Sequence, residues 1–304
     1  MRHPRTKLGA DFDGKLQNMG THTLLKPRLD PGAVVLAHGL IGWGARSASK
    51  LCGALYFNGI ADHLRSKHGL RVLAPDVDGI APSSQRGAQL LEQIRDWPER
   101  REGERVAVIG HSQGGLDARW AISQLGGDEL IARLVTLSTP HRGSALCEHI
   151  ALPLLENSPP FLHGLLGSLC VPIEAAYFLS PAAMVEFNQT CPDSPEVVYL
   201  SLGGTRTRYE YWAPFIGLAP LLAYCDPGPN DGLVTVASAR WGEYLGTLPF
   251  DHVDQLNFPM KVIHRAPMEP LWDYLAAVIT SDATQASARC SVAMPQELLL
   301  HHRK

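Results

Sequence analysis

The chain has 304 residues, enough for one large domain or two small ones. Apolar residues make up 45% and charged residues 19%, an ordinary globular balance with a sizeable core, and a net charge of −3 excludes the basic footprint of a nucleic-acid binder. The six cysteines (Cys52, Cys147, Cys170, Cys191, Cys225 and Cys290) form no C-x-x-C pair and no zinc-like spacing with histidine, so free thiols are expected.

Residues 1–30 are polar and mixed, with Pro4 and Pro27, and read as an N-terminal arm. Arg2, Arg5 and Lys7 precede no apolar core, which argues against a secretory signal, and Asp11 and Asp13 argue against a transit peptide. No run of about 18 apolar residues occurs, so no transmembrane helix is expected. Ala33 to Ala37 is a buried strand running into His38-Gly39-Leu40-Ile41-Gly42-Trp43-Gly44, where the glycines let the backbone approach a neighbour closely. Leu51, Leu55, Ile60 and Leu64 predict a helix to Lys67; Leu70 to Pro75 is the next strand; Leu90, Leu91, Ile94 and Trp97 mark a second helix.

Val106 to Ile109 is a short apolar strand, and Gly114 to Gln124 a helix with Leu116, Ala121 and Ile122 inside. Between them lies Gly110-His111-Ser112-Gln113-Gly114, a G-x-S-x-G at a strand-to-helix turn. A serine on so tight a turn pushes its hydroxyl above the sheet, and side chains at Gly110 and Gly114 would collide with the turn. Ser112 is therefore the candidate nucleophile, with a glycine-rich, serine-capped turn as the bland alternative. Leu134 to Leu137 is a further strand, ending in Ser138-Thr139-Pro140-His141-Arg142-Gly143-Ser144. Strands alternating with helices imply a parallel sheet with sites beyond the strand C-termini, where Leu40, Ser112 and His141 would lie.

Residues 145–190 break the alternation. They hold no Lys or Arg, a Leu162, Leu165, Leu166 and Leu169 stripe, and several prolines, and they read as an inserted helical cap; plain core helices are the alternative. Val197 to Leu202 returns as a strand. A nucleophilic serine needs a base, and the base an orienting carboxylate. His252, which follows strand-like Tyr244 to Leu248 in the polar loop Asp251-His252-Val253-Asp254, is the candidate base, with a solvated loop histidine as the alternative that the loop by itself favours. Asp231, in Asn230-Asp231-Gly232, is the carboxylate candidate, with Asp226 its nearest rival and Asp251 a weaker one; as a bare turn N-D-G needs no function. Residues 31–282 are expected to be one domain, and 283–304 a C-terminal tail.

His38-Gly39-Leu40, Gly110 to Gly114, Pro140 to Ser144, Asn230 to Val234 and Asp251 to Asp254, in this order, resemble the triacylglycerol lipases of bacteria that share the α/β-hydrolase fold, and still more their intracellular fungal and algal relatives. Tyr56-Phe57-Asn58-Gly59-Ile60 matches the start of the family's first helix, and the resemblance covers residues 33–258. It implies a mostly parallel sheet flanked by helices, with Ser112 as nucleophile, Asp231 as orienter and His252 as base. It further implies Leu40 and Gln113 backbone N–H groups as the oxyanion hole and 145–190 as the lid. The expected activity is a cofactor-free serine ester hydrolase acting on lipid or small esters, in peripheral contact with lipid interfaces. A thioesterase, a lysophospholipase or a non-catalytic hydrolase-fold binding protein would share much of this pattern. The secreted enzymes' disulfide cysteine after N-D-G-L-V is missing from Thr235-Val236-Ala237-Ser238, which fits an intracellular, cytoplasmic protein. Their structural calcium uses an aspartate that Asp254 matches, but a later glutamine position is Phe258 here, so no metal is expected.

Overall fold

The structure is a computed structural model that describes residues 28–40, 56–153, 173–206, 213–257, 268–281 and 293–299. Strands β1 (Arg28–Ala37), β2 (Arg71–Leu73), β3 (Glu104–His111), β4 (Ile131–Leu137), β5 (Val198–Gly204) and β6 (Glu243–Leu248) form one sheet in the order β2-β1-β3-β4-β5-β6. All neighbouring pairs are parallel. Parallel neighbours need crossover connections. Helices α1 (Ile60–His68), α2 (Ser83–Arg95) and α3 (Gln113–Gln124) lead into β2, β3 and β4. Helices α4 (Ile173–Phe178) and α5 (Pro181–Thr190) precede β5, α6 (Ala213–Cys225) and α7 (Val236–Ala239) precede β6, and α8 (Glu269–Thr280) and α9 (Gln296–Leu299) follow it.

The strands are apolar on both faces because helices cover both. Val34, Leu36 and Ile109 face one core layer with Leu64 of α1 and Leu271, Trp272 and Leu275 of α8. Val35 and Val108, one residue out of phase, face the other layer with Leu90 and Ile94 of α2 and Ile122 of α3. Helix α8 buries Leu271, Leu275, Val278 and Ile279, the spacing of a helix with one apolar face.

The chain passes from β1 outward to β2, then crosses back to β3, so the winding reverses between β1 and β3. Loops leaving the C-terminal ends of those two strands diverge and open a crevice. His38 to Leu40 and Ser112 sit there.

Several boundaries differ from the periodicity reading. Strand β1 begins at Arg28, taking in residues 28–30 of the expected arm: Arg28 pairs with Glu104 and Leu29 with Arg105 before a register shift. Backbone pairing needs no apolar side chains, so hydropathy does not register it. Helix α1 starts at Ile60 because Phe57 to Gly59 form a turn, with Gly59 at φ 73°. Leu51 and Leu55 lie outside the described residues. Within the expected cap, Cys147–Ala151 is a π-helical turn followed by α4 and α5, and the Leu162, Leu165, Leu166 and Leu169 stripe lies outside the described residues. In the expected tail, Leu298 of α9 is buried in the α8 core layer. Among the described residues no helix is long and apolar enough to cross a membrane.

Candidate active site

Ser112 stands between β3 and α3 with φ 54° and ψ −129°, a backbone conformation that costs a non-glycine residue strain. Its N–H donates to Leu137 O at 2.9 Å, tying the turn to the end of β4. The flanking glycines are steric requirements. A Cβ on Gly110 would lie 2.7 Å from Gly115 Cα, and one on Gly114 would lie 2.7 Å from His38 O. Gln113 opens α3, and the first-turn N–H groups of a helix have no intrahelical acceptor. Across the crevice Gly39 meets the same serine: a Cβ there would be 2.7 Å from both Ser112 Cβ and Tyr56 Oη. Leu40 follows directly and packs against the cluster of Leu116, Cys147, Ala176, Leu179 and Met184.

Asp231, in the turn between α6 and α7, and His252, in the loop after β6, meet through side chain and backbone. His252 Nδ1 donates to Asp231 Oδ2 at 2.7 Å, and His252 N–H donates to Asp231 O at 3.0 Å. Asp231 is fully buried, and its other oxygen accepts from Leu233 N at 3.0 Å and Val234 N at 2.8 Å. The N-D-G turn thus aims one carboxylate oxygen at the imidazole by occupying the other. Asp226 accepts from Thr235 Oγ1 at 2.8 Å, and Asp251 Oδ1 accepts from Val253 N and Asp254 N; both rivals of Asp231 hold local turns.

Two buried groups that the sequence reading did not single out hold these loops in place. His111, directly before Ser112, sets its ring 4.6 Å from that of His252, tilted by 56°. Its Nε2–H donates to His252 O at 2.9 Å. Its Nδ1 accepts the Tyr56 hydroxyl at 2.7 Å. Burial, helped by the His252 charge, pushes the His111 pKa well below the usual histidine value, so the ring is neutral as both bonds require. Arg86 is the second, with no exposed surface. Its Nε donates to Asp117 Oδ2 at 2.7 Å, and its Nη2 donates to His38 O at 2.6 Å and Gly39 O at 3.2 Å. His38 accepts from Val77 N at 3.2 Å and donates through Nδ1 to Gly39 O at 2.8 Å. Burial first, then the Arg86 charge, lowers its pKa to about 4. Both residues hide in sequence because each is a polar residue inside an otherwise ordinary helix or motif.

His141 lies at the end of β4 as expected, but it is wholly buried and its ring accepts no site residue. It stacks on Trp241 with 5.2 Å between centroids, and its neighbours Gly143 and Arg142 bond to Ser238. Ser144 Oγ donates to Leu233 O at 2.6 Å. The Pro140 to Ser144 motif is a corner that fixes the Asp231 segment against β4.

The structural calcium of the secreted enzymes would meet a cation already bound at Asp254. Asp254 Oδ2 receives Arg206 Nε and Nη2, each at 2.9 Å, and the N–H of Asp251 at 3.1 Å. A guanidinium already occupies this oxygen, and its positive charge repels a second cation placed beside it. Phe258 lies outside the described residues.

Residues 32–158 match a family model described as the alpha/beta hydrolase fold. Triacylglycerol lipase 2 of Saccharomyces cerevisiae is 34% identical over 214 residues, covering 68% of this chain and 64% of that protein, so the chain spans less than two thirds of the yeast relative's length. A triacylglycerol lipase of Vibrio cholerae is 26% identical over 257 residues, covering 74% of this chain and 79% of its own. The crystal structure of a metagenomic carboxyl esterase superposes with a TM-score of 0.65 at 22% identity, covering 83% of this chain and 76% of that one, a likeness of fold. This protein has an α/β-hydrolase fold related to the bacterial and fungal lipase-family proteins.

Proposed function

We propose that this protein is a serine ester hydrolase that cleaves lipid acyl esters through an acyl-enzyme. The observation that carries the reading is the buried Asp231–His252 bond of 2.7 Å, tied through His111 to the strained turn that bears Ser112. In this mechanism His252 Nε2 takes the Ser112 proton as the hydroxyl attacks the ester carbonyl. Asp231 holds the tautomer with hydrogen on Nδ1 and stabilises the imidazolium. The N–H groups of Leu40 and Gln113 receive the oxyanion, and His252 returns the proton to the leaving alcohol. Water repeats the cycle and releases the fatty acid. No cofactor takes part.

The relatives named triacylglycerol lipases and the named carboxyl esterase favour an ester over other acyl substrates. The partly buried Leu40, packed on an apolar cluster that includes Leu179 and Met184, suits an acyl chain. We assign residues 145–190 as a lid over an α/β-hydrolase domain of 31–282, acting on lipid or small esters at an interface, in an intracellular setting.

A fluorophosphonate probe tests the reading, followed by a panel of esters, thioesters and lysophospholipids against wild type and Ser112→Ala. Labelling and ester turnover should both vanish in the variant, with the residual rate on the order of 10³-fold over water. Retention of a tenth of wild-type turnover removes Ser112 from the mechanism. Preference for thioesters or lysophospholipids shifts the substrate class, and a wild type that neither labels nor turns over is a binding protein.

A further inference from the structure

Away from the candidate active site, and sharing no residue with it, two imidazoles converge on one carboxylate oxygen. His63 and His68 belong to α1, and Asp273 to α8. His63 Nε2 lies 2.8 Å from Asp273 Oδ1, and His68 Nε2 lies 2.7 Å from the same atom. The two rings are 5.8 Å apart between centroids and inclined at 62°, so their nitrogens approach the oxygen from different directions. The three donor atoms all lie within 4.8 Å of one another. Lys67 Nζ holds the second carboxylate oxygen at 2.7 Å, which leaves Oδ1 alone facing the imidazoles.

We propose that His63, His68 and Asp273 form a binding site for one zinc-class divalent cation, which fastens α1 to α8. Zinc takes imidazole nitrogen at about 2.0–2.1 Å and carboxylate oxygen at about 2.0–2.2 Å, so adjacent donors of a tetrahedral site stand about 3.4 Å apart. The present spacing requires each nitrogen to withdraw from the oxygen by about 0.6–0.7 Å to admit the ion. The three side chains are 22%, 24% and 31% exposed, which gives the ion a path and leaves water as its fourth ligand. Two imidazoles suit zinc, nickel, cobalt and copper; calcium and magnesium, which demand oxygen, are excluded. His68 and Asp273 are 205 positions apart in the chain, so the ligand set exists only in the folded state and binding must stabilise that state. His68 is the last residue of α1, fixed there by Gly69 in the left-handed conformation, and the carboxylate sits on a helix whose other face is core.

The experiment uses the full chain, stripped with chelator and dialysed, then titrated with zinc chloride by calorimetry and followed by thermal melting. Wild type should bind zinc saturably with a rise in Tm, magnesium should give no rise, and ester turnover should not change. The double variant His63→Gln/His68→Gln keeps amide donors for Asp273, and so keeps the helix contact, but removes both strong ligands. Its zinc affinity at this site should fall by more than about 100-fold. Cobalt added to wild type gives an answer that needs no variant: intense visible bands report a four-coordinate ion in the site. No saturable zinc binding, undiminished binding in the double variant, or the pale spectrum of hydrated six-coordinate cobalt would each overturn the proposal.

Discussion

At the scale of single residues, the three aspartates near His252 separate by what their oxygens already do. Asp231 presents Oδ2 to Nδ1, while Asp226 is engaged by Thr235 and Asp251 by its own turn. Asp231→Asn keeps the oxygen that receives Leu233 and Val234 N–H but turns an amide toward the ring, which favours the wrong tautomer. Turnover should fall on the order of 10⁴-fold. Asp226→Asn and Asp251→Asn retain acceptors for their turn bonds and should cost far less. Steady-state rates on one soluble ester decide it, and a crippled Asp226→Asn enzyme would move the orienting role to Asp226. The N-D-G motif could be read as a turn in the sequence, but its second use depends on a histidine 21 positions away.

At the scale of elements, the turn that carries His252 is braced from outside. Asp254 is almost wholly buried and paired with Arg206, which stands after β5. Arg206→Ala leaves a buried carboxylate without its cation, a change that costs about 3–5 kcal/mol in comparable pairs. The variant should melt lower and lose kcat more than it gains in KM, since the His252 loop is what loosens. Wild-type turnover should withstand EDTA, and calcium should not rescue the variant; calcium-dependent turnover would mean that the ion and Arg206 compete for Asp254. The lid proposed for residues 145–190 gives a second prediction at this scale. An apolar lid without Lys or Arg meets neutral lipid by hydrophobic contact, with roughly 1.5–3 kcal/mol available for each leucine fully buried. Leu166→Asp should therefore depress turnover on emulsified ester far more than on a short soluble one, and added anionic lipid should matter little. Equal losses on both substrates would make Leu166 ordinary core.

For the whole molecule, buried neutral histidines link the fold to pH. His38 has its pKa lowered to about 4 in the folded state against 6.5 as the ordinary value. The unfolded chain therefore takes up a proton first as pH falls, and the stability present above about 6.5 is lost progressively towards about 4. His38 alone contributes on the order of 3 kcal/mol to that loss. His111 and His141, both lowered chiefly by burial, act in the same sense. Burial pushes the Asp117 carboxyl the other way, which would favour the folded state as pH falls, and Arg86 at 2.7 Å limits that opposing effect. Urea unfolding at a series of pH values should show the decline, with a shallower slope in His38→Asn; an unchanged slope would take His38 out of the explanation.

The order of strands and helices and the glycines of the Ser112 turn were legible in the sequence because each leaves a local mark, while Asp231 and His252 stood there as candidates among rivals. Apolar runs mark strands, a tight turn demands glycine, and a polar loop after a strand marks a candidate base. Tertiary structure alone decided which aspartate the imidazole meets, because a hydrogen bond between distant segments leaves no periodicity. It also decided the buried bracing of the site: Arg86 beneath His38 and Gly39, His111 beneath His252, and Arg206 on Asp254. A charged or polar residue in a helix or loop looks solvent-exposed until folding supplies its partner, and only then does burial turn a costly charge into a fixed contact.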